Sequence, residues 1–167
     1  MTTTQEPPPH TSTDPRSWLW GGVFLGLGLG GFFDGIVLHQ ILQWHHLLSE
    51  VYRPTTLENL KLNTLADGFF HAASWVFSLI GLFLLWRGTR GQHAPWRTPA
   101  LIGALLFGWG LFNVAEGLIN HQLLQIHHVR PGPHQALYDL GFLVWGAAML
   151  LAGWALMRRP RAGNGGA

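Results

Sequence analysis

Four stretches of the chain, about 18–38, 65–86, 100–120 and 136–157, are nearly unbroken runs of apolar residues. A bilayer core about 30 Å thick needs about 20 such residues in a helix. Each run therefore predicts a transmembrane α-helix, and the absence of charge between their ends argues against buried helices of a soluble domain. The fold class that follows is an all-α integral membrane protein, a bundle of four transmembrane helices. Residues 1–16 are polar and Pro/Thr-rich, and residues 159–167 are short and Gly-rich. Both read as disordered tails around one transmembrane domain over 17–158. No small-residue cleavage site follows the first run before its histidines, so it reads as a retained span and not a cleaved signal.

Composition supports the membrane reading. Charged residues make up 11% of the chain and hydrophobic ones 48%, against roughly 25% charged in a soluble domain. The nine Trp and 22 Gly are frequent types in spans and their interfaces. The chain has no cysteine, which excludes disulfides, thiolate metal sites and Cys nucleophiles. Three Met residues do not make a thioether copper(I) site. A formal charge of +2 gives no argument for nucleic acid. The basic residues instead indicate orientation. Arg16, Arg87, Arg90, Arg97, Arg158, Arg159 and Arg161 fall on one side of the spans, and Arg53, Lys61 and Arg130 on the other. The excess places both termini in the cytoplasm and the opposite end outside a bacterial inner membrane.

That opposite end is rich in histidine, and it is written twice. Asp34-Gly35-Ile36-Val37-Leu38-His39-Gln40 is matched by Glu116-Gly117-Leu118-Ile119-Asn120-His121-Gln122, offset by 82 residues. The match continues without a gap from HQILQWHH to HQLLQIHH. Asp67 and Asp139 mark a fainter correspondence in the second helix of each half. The chain thus reads as two parallel two-helix repeats, about 18–86 and 100–157, related by an axis along the membrane normal.

At about 1.5 Å per residue, Asp34, His39, Asp67, His71, Glu116, His121 and Asp139 fall within one slab about 10 Å thick in the outer half of the membrane. A central charge costs roughly 2.5–3.5 kcal/mol on an insertion scale, so a gathering from four helices points to pairing, ion binding or function. His45, His46, His127 and His128 are expected just above the slab, as an outer recruiting site or further ligands, with His134 in the adjoining loop. A continued helix would put His39, Gln43 and His46 on one face, and likewise His121, Gln125 and His128. Asp67 and His71 have the i, i+4 spacing of two ligands on one helix face. Asp34 and His39, five apart, share a face only if a π-bulge lies between them, which Gly35 would tolerate. On a regular helix they address different neighbours.

Imidazole and carboxylate together suit Zn, Fe, Mn or Cu(II). The expected metal ligands are Asp34, His39, Asp67, His71, Glu116 and His121. Gln43, His45, His46, Gln125, His127, His128 and Asp139 are additional ligands or supporting residues. The arrangement is similar to di-metal carboxylate bundles, without their Glu-x-x-His spacing. Leu143 stands where His71 would repeat, so the site is expected to be asymmetric. Such a metal would serve redox or hydrolytic chemistry, with a spare carboxylate moving protons. Haem between His39 and His121 ranks below a non-haem ion because of the adjacent carboxylates. Other readings are a metal-ion or proton transporter, and a structural or assembly subunit held by a polar interhelical network, in a membrane complex or a homo-oligomer. Transport is opposed by the inner halves of the spans, which carry no acid, base or histidine. The glycines of GGVFLGLGLGG read as close helix packing, and most tryptophans as interface or packing residues.

In GFFDGIVLHQILQWHH, LADGFFHAASW and FNVAEGLINHQLLQIHHV the chain closely resembles a bacterial membrane-protein family known as domain of unknown function 2243. The resemblance covers about residues 18–158. It implies a four-span architecture and brings no established activity. A weaker likeness, to membrane desaturases and hydroxylases, rests on the clustered histidines and two His-His pairs. Gln43-Trp44-His45-His46 is one residue short of their His/Gln-x-x-His-His box, their His-x-x-x-His box is missing, and their boxes are cytoplasmic. Their di-iron chemistry is therefore not carried over.

Overall fold

A computed structural model describes residues 15–89 and 98–159. Most of both predicted tails, with His10 and the segment holding Arg90, His93, Trp96 and Arg97, lie outside the described residues. Helix α1 (Pro15–Phe33) runs directly into a π-helical segment, Asp34–Ile41. Helix α2 spans Leu57–Gly88. Helix α3 (Thr98–Glu116) again continues as a π-helix, Gly117–Leu123, and α4 spans Gln135–Arg158. Counting the π segments, the four helical stretches are 26, 32, 26 and 24 residues long, each long and apolar enough to cross a bilayer. All four predicted runs lie inside them. Helix α2 starts earlier than the apolar pattern indicates, because the Thr56 side chain accepts from Asn59 N at 3.2 Å and caps a polar first turn.

Small residues set the packing. A side-chain carbon added at Gly26 would collide with the Leu105 carbonyl of α3, and one at Gly108 with the Val23 carbonyl of α1. The two helices therefore touch backbone to backbone, as small-residue membrane interfaces allow. Gly28 is pressed against Ser74 and Ser78 of α2, and Gly103 against Gly153 of α4. Gly22 lies against Ala104 and Gly30 against Phe112, so α1 is parallel to α3. Gly21 against Leu85 with Gly28 against Ser74, and Gly103 against Gly153 with Gly110 against Leu150, make α1 antiparallel to α2 and α3 antiparallel to α4. Among the described residues α2 packs on α1 and α4 on α3, with no contact between α2 and α4. The four-helix bundle is thus a row, α2–α1–α3–α4. Its inner helices are 56% and 39% buried along their apolar stretches, and its outer ones 11% and 17%. Phe69, Trp75 and Phe83 of α2 and Leu137, Val144 and Leu151 of α4 are exposed, which suits helix faces solvated by lipid.

At the opposite end from Arg16, Arg87 and Arg158, both π segments are followed two residues on by a residue with positive φ, Gln43 at 50° and Gln125 at 51°. Side chains other than Gly and Asn seldom occupy this left-handed region. Here it stops each inner helix and turns the chain back over its own end. Gln43 and Gln125 are exposed, and the continued helical face expected for His39, Gln43 and His46 is not formed.

Candidate metal centre

Two structural devices bring the polar residues together. The first is the π geometry itself, whose i→i+5 bonding widens the turn and aligns residues five apart. His39 Nε2 lies 3.2 Å from Asp34 Oδ2, and His121 Nε2 lies 3.2 Å from Glu116 Oε2. Of the two placements open for Asp34 and His39, the shared face is the one found. The second device is the reversal at Gln43 and Gln125. It carries His45 and His127, placed by the sequence at the mouth, into the interior, where they are 3% and 0% exposed.

Three of the four imidazoles are held by a hydrogen bond from Nδ1, and the fourth, His121, only faces a carboxylate there. His45 Nδ1 donates to Val129 O at 2.8 Å, and His127 Nδ1 donates to Leu47 O at 3.0 Å. The two halves thus exchange the same bond, at positions offset by 82. His39 Nδ1 donates to Asp67 Oδ1 at 2.9 Å, and His121 Nδ1 faces Asp139 Oδ1 at 3.5 Å. Phe70 stacks on the His39 ring and Phe142 lies beside His121. Carbonyl and carboxylate oxygens only accept, so an Nδ1 bonded to one carries the proton. The Nε2 of a neutral ring then presents its lone pair. This is the outer-shell arrangement that fixes the tautomer of metal-binding histidines.

The opposite ring nitrogens converge. His45 and His127 stack in parallel with centroids 4.7 Å apart, flanked by His39 at 4.4 Å from His45 and His121 at 4.9 Å from His127. Donor atoms of His39, His45 and His127 lie within 4.8 Å of one another, as do those of Glu116, His121 and His127. Asp34 Oδ2, Glu116 Oε2 and the Nε2 atoms of His39, His45 and His121 are buried without a hydrogen-bond partner among the described residues. His127 Nε2 is 2.7 Å from Glu116 Oε1. Burial, reinforced by the neighbouring His127 and His39, pushes the pKa of His45 down to about 2 and keeps its ring neutral.

The aspartates of the outer helices face away from the convergence. Asp67 accepts from His39 Nδ1, from Leu47 N at 2.9 Å and from His46 Nδ1 at 2.7 Å, so both its oxygens are engaged. Asp139 accepts from His128 Nδ1 at 2.7 Å and from Val129 N at 2.9 Å. His46 and His128 therefore grip these aspartates, while the preceding histidine of each pair turns inward. His71 stands apart from both donor groups. Its ring stacks near Phe32 and presses on Gly35, where any side chain would collide with Nε2. Leu143 takes the equivalent place against Gly117. His134 precedes α4 and joins neither donor group.

Some supporting residues were not visible as such in the sequence. Asn63, fully buried, binds Tyr52 O at 2.7 Å and accepts from Leu48 N at 3.1 Å, pinning the 42–56 connection over the first half. The carbonyls of Leu47 and Val129 carry no sequence signal. Asn120 donates to Glu116 Oε1 at 3.4 Å. A cleft of about 310 Å³ reaches His121 from outside, between the second π segment and α4, bordered by Gln122, Gln125, Gln135 and Leu143.

A family model described as a predicted membrane protein (DUF2243) matches residues 21–160. No curated protein and no solved structure matches the chain.

Proposed function

The chain belongs to the DUF2243 family of predicted membrane proteins, and we propose that it binds a transition metal in the outer half of its bundle. One observation carries this reading: four buried imidazoles, directed through Nδ1 toward carbonyl or carboxylate oxygens, turn Nε2 toward one another and toward Asp34 and Glu116. A buried polar atom left unpaired costs about 1–3 kcal/mol. Four such atoms meet only in pairs, Asp34 Oδ2 with His39 Nε2 and Glu116 Oε2 with His121 Nε2, each at 3.2 Å without a hydrogen bond, and a cation between them would satisfy all four.

In this reading His39, His45, His121 and His127 ligate through Nε2, with Asp34 and Glu116 as carboxylate ligands. Asp67, Asp139, Val129 O and Leu47 O orient the rings. Gln43 and Gln125 terminate the helices and do not ligate, and His71 supports the first half from beside Gly35. The nitrogen and oxygen donors suit Zn, Fe, Mn or Cu(II). A metal bound there would supply Lewis-acid or redox chemistry. Bilayer on the outer helices and protein around the site would exclude bulk water, and the cleft beside His121 would admit a small molecule from the histidine-rich end. The excess of arginine at the other end assigns that end to the cytoplasm. Transport is disfavoured, since below Asp34, His71, Glu116 and Asp139 no described residue of the spans is acidic or histidine before the arginine-bearing ends.

Elemental analysis of detergent-purified protein tests the proposal. Bound metal is expected at neutral pH, surviving dialysis and falling severalfold in His45→Ala and His127→Ala. Metal-free protein, or unchanged loading in both variants, contradicts it. A Soret band in the absorption spectrum would assign the site to haem.

A further inference from the structure

The donor set is divided. The ligand atoms sort into two groups, His39–His45–His127 and Glu116–His121–His127, which share only His127. Each half of the chain also contributes the same three types in the same order: a carboxylate (Asp34 or Glu116), the histidine five residues on (His39 or His121), and the first of the His-His pair (His45 or His127). Two histidines and one carboxylate are a complete protein ligand set for a transition metal that keeps open positions.

We infer that the cluster is a two-ion centre, with one divalent transition-metal ion in each half and the stacked rings of His45 and His127 between them. The inference rests on the metal-binding reading above and goes beyond it in number and placement.

The two positions are unequal. Glu116 reaches its neighbours, with Oε1 2.7 Å from His127 Nε2 and Oε2 3.2 Å from His121 Nε2. Asp34 is one methylene shorter and meets His39 at 3.2 Å. The first-half group counts His127 as its third member, but His127 Nε2 already meets Glu116 at 2.7 Å, which leaves the first position with Asp34, His39 and His45. The Glu116 position therefore fills first and the Asp34 position second.

Titration of chelator-stripped, detergent-solubilised full-length protein with Co(II), followed by its absorption bands and by metal analysis after desalting, tests the inference. Two equivalents per chain are expected, in two steps. Glu116→Gln or His121→Gln should abolish the first step and leave about one equivalent. Asp34→Asn or His39→Gln should abolish the second step. A wild-type plateau at one equivalent overturns the two-ion centre while leaving the metal-binding reading intact. No binding at all removes both. If a variant fails to elute as folded protein, the wild-type stoichiometry decides alone.

Discussion

The two halves make the same contacts with different margins. His45 and His127 exchange bonds with the backbone across the centre, and Asp67 and Asp139 each accept from a histidine and from the following backbone N–H. Around this shared frame the first half is closed. His71 fills the space against Gly35, and Asn63 ties the 42–56 connection down over the helix ends. The second half has Leu143 for His71, Gln135 for Asn63, a shorter connection, and a cleft reaching His121. In the proposed metal-binding reading the common frame orients the ligands, and the departures leave the second half open at the cleft beside His121.

Changes to the frame should have the largest effects. Asp67→Ala strips acceptors from His39, His46 and Leu47 N, and should cost about 3–5 kcal/mol, the scale for breaking a buried charged network. Asp139→Ala should cost less, because its contact with His121 is looser at 3.5 Å. Thermal unfolding in detergent would check both. Equal losses would remove this distinction between the halves. In whatever folds, metal affinity should fall about 10–100-fold, as for other residues that orient metal ligands, measured by competition with a chelator.

Next in size is the glycine pair. Gly35→Ala drives a methyl into the rigid His71 ring, whereas Gly117→Ala meets the flexible end of Leu143. The first should cost about 1–3 kcal/mol by overpacking, and the second less, again by thermal unfolding. The cleft gives a third contrast. Leu143→His should slow or block binding of azide to the metal-loaded protein without changing metal content. His71→Leu should leave metal content unchanged. Loss of metal in His71→Leu would make His71 a ligand and reverse its assignment.

The smallest effect, and an equal one, is expected at the turns. Gln43→Gly and Gln125→Gly relieve a left-handed conformation that costs a side chain roughly 1–2 kcal/mol, offset in part by the flexibility of glycine. Each should be neutral or stabilising by about 1 kcal/mol or less. Marked destabilisation would mean that the glutamine side chains bind something in the folded protein.

Much of this organisation was legible in the sequence. Apolar runs gave the spans, and the 82-residue offset matched Asp34 with Glu116 and His39 with His121. The five-residue spacing raised the π-bulge as one of two alternatives, and only coordinates could choose between them. The inward turn of His45 and His127 was not legible. Positive φ is ordinarily signalled by Gly or Asn, and here it falls on Gln. A histidine pair after an apolar run therefore read as a rim. The engagement of Asp67 was hidden for the same reason, since its partners His46 and Leu47 N reach it only after the chain reverses. The row of helices was likewise beyond periodicity, because glycines on α1 and α3 show close packing without showing which helix packs there.

X-ray absorption at the edge of the metal that copurifies with the protein tests the central claim most directly. The account predicts only nitrogen and oxygen neighbours at about 2.0–2.2 Å, with the outer-sphere scattering of about two imidazoles per ion and no sulfur. A metal surrounded by oxygen alone, without imidazole scattering, would place it outside the histidine cluster and contradict the account.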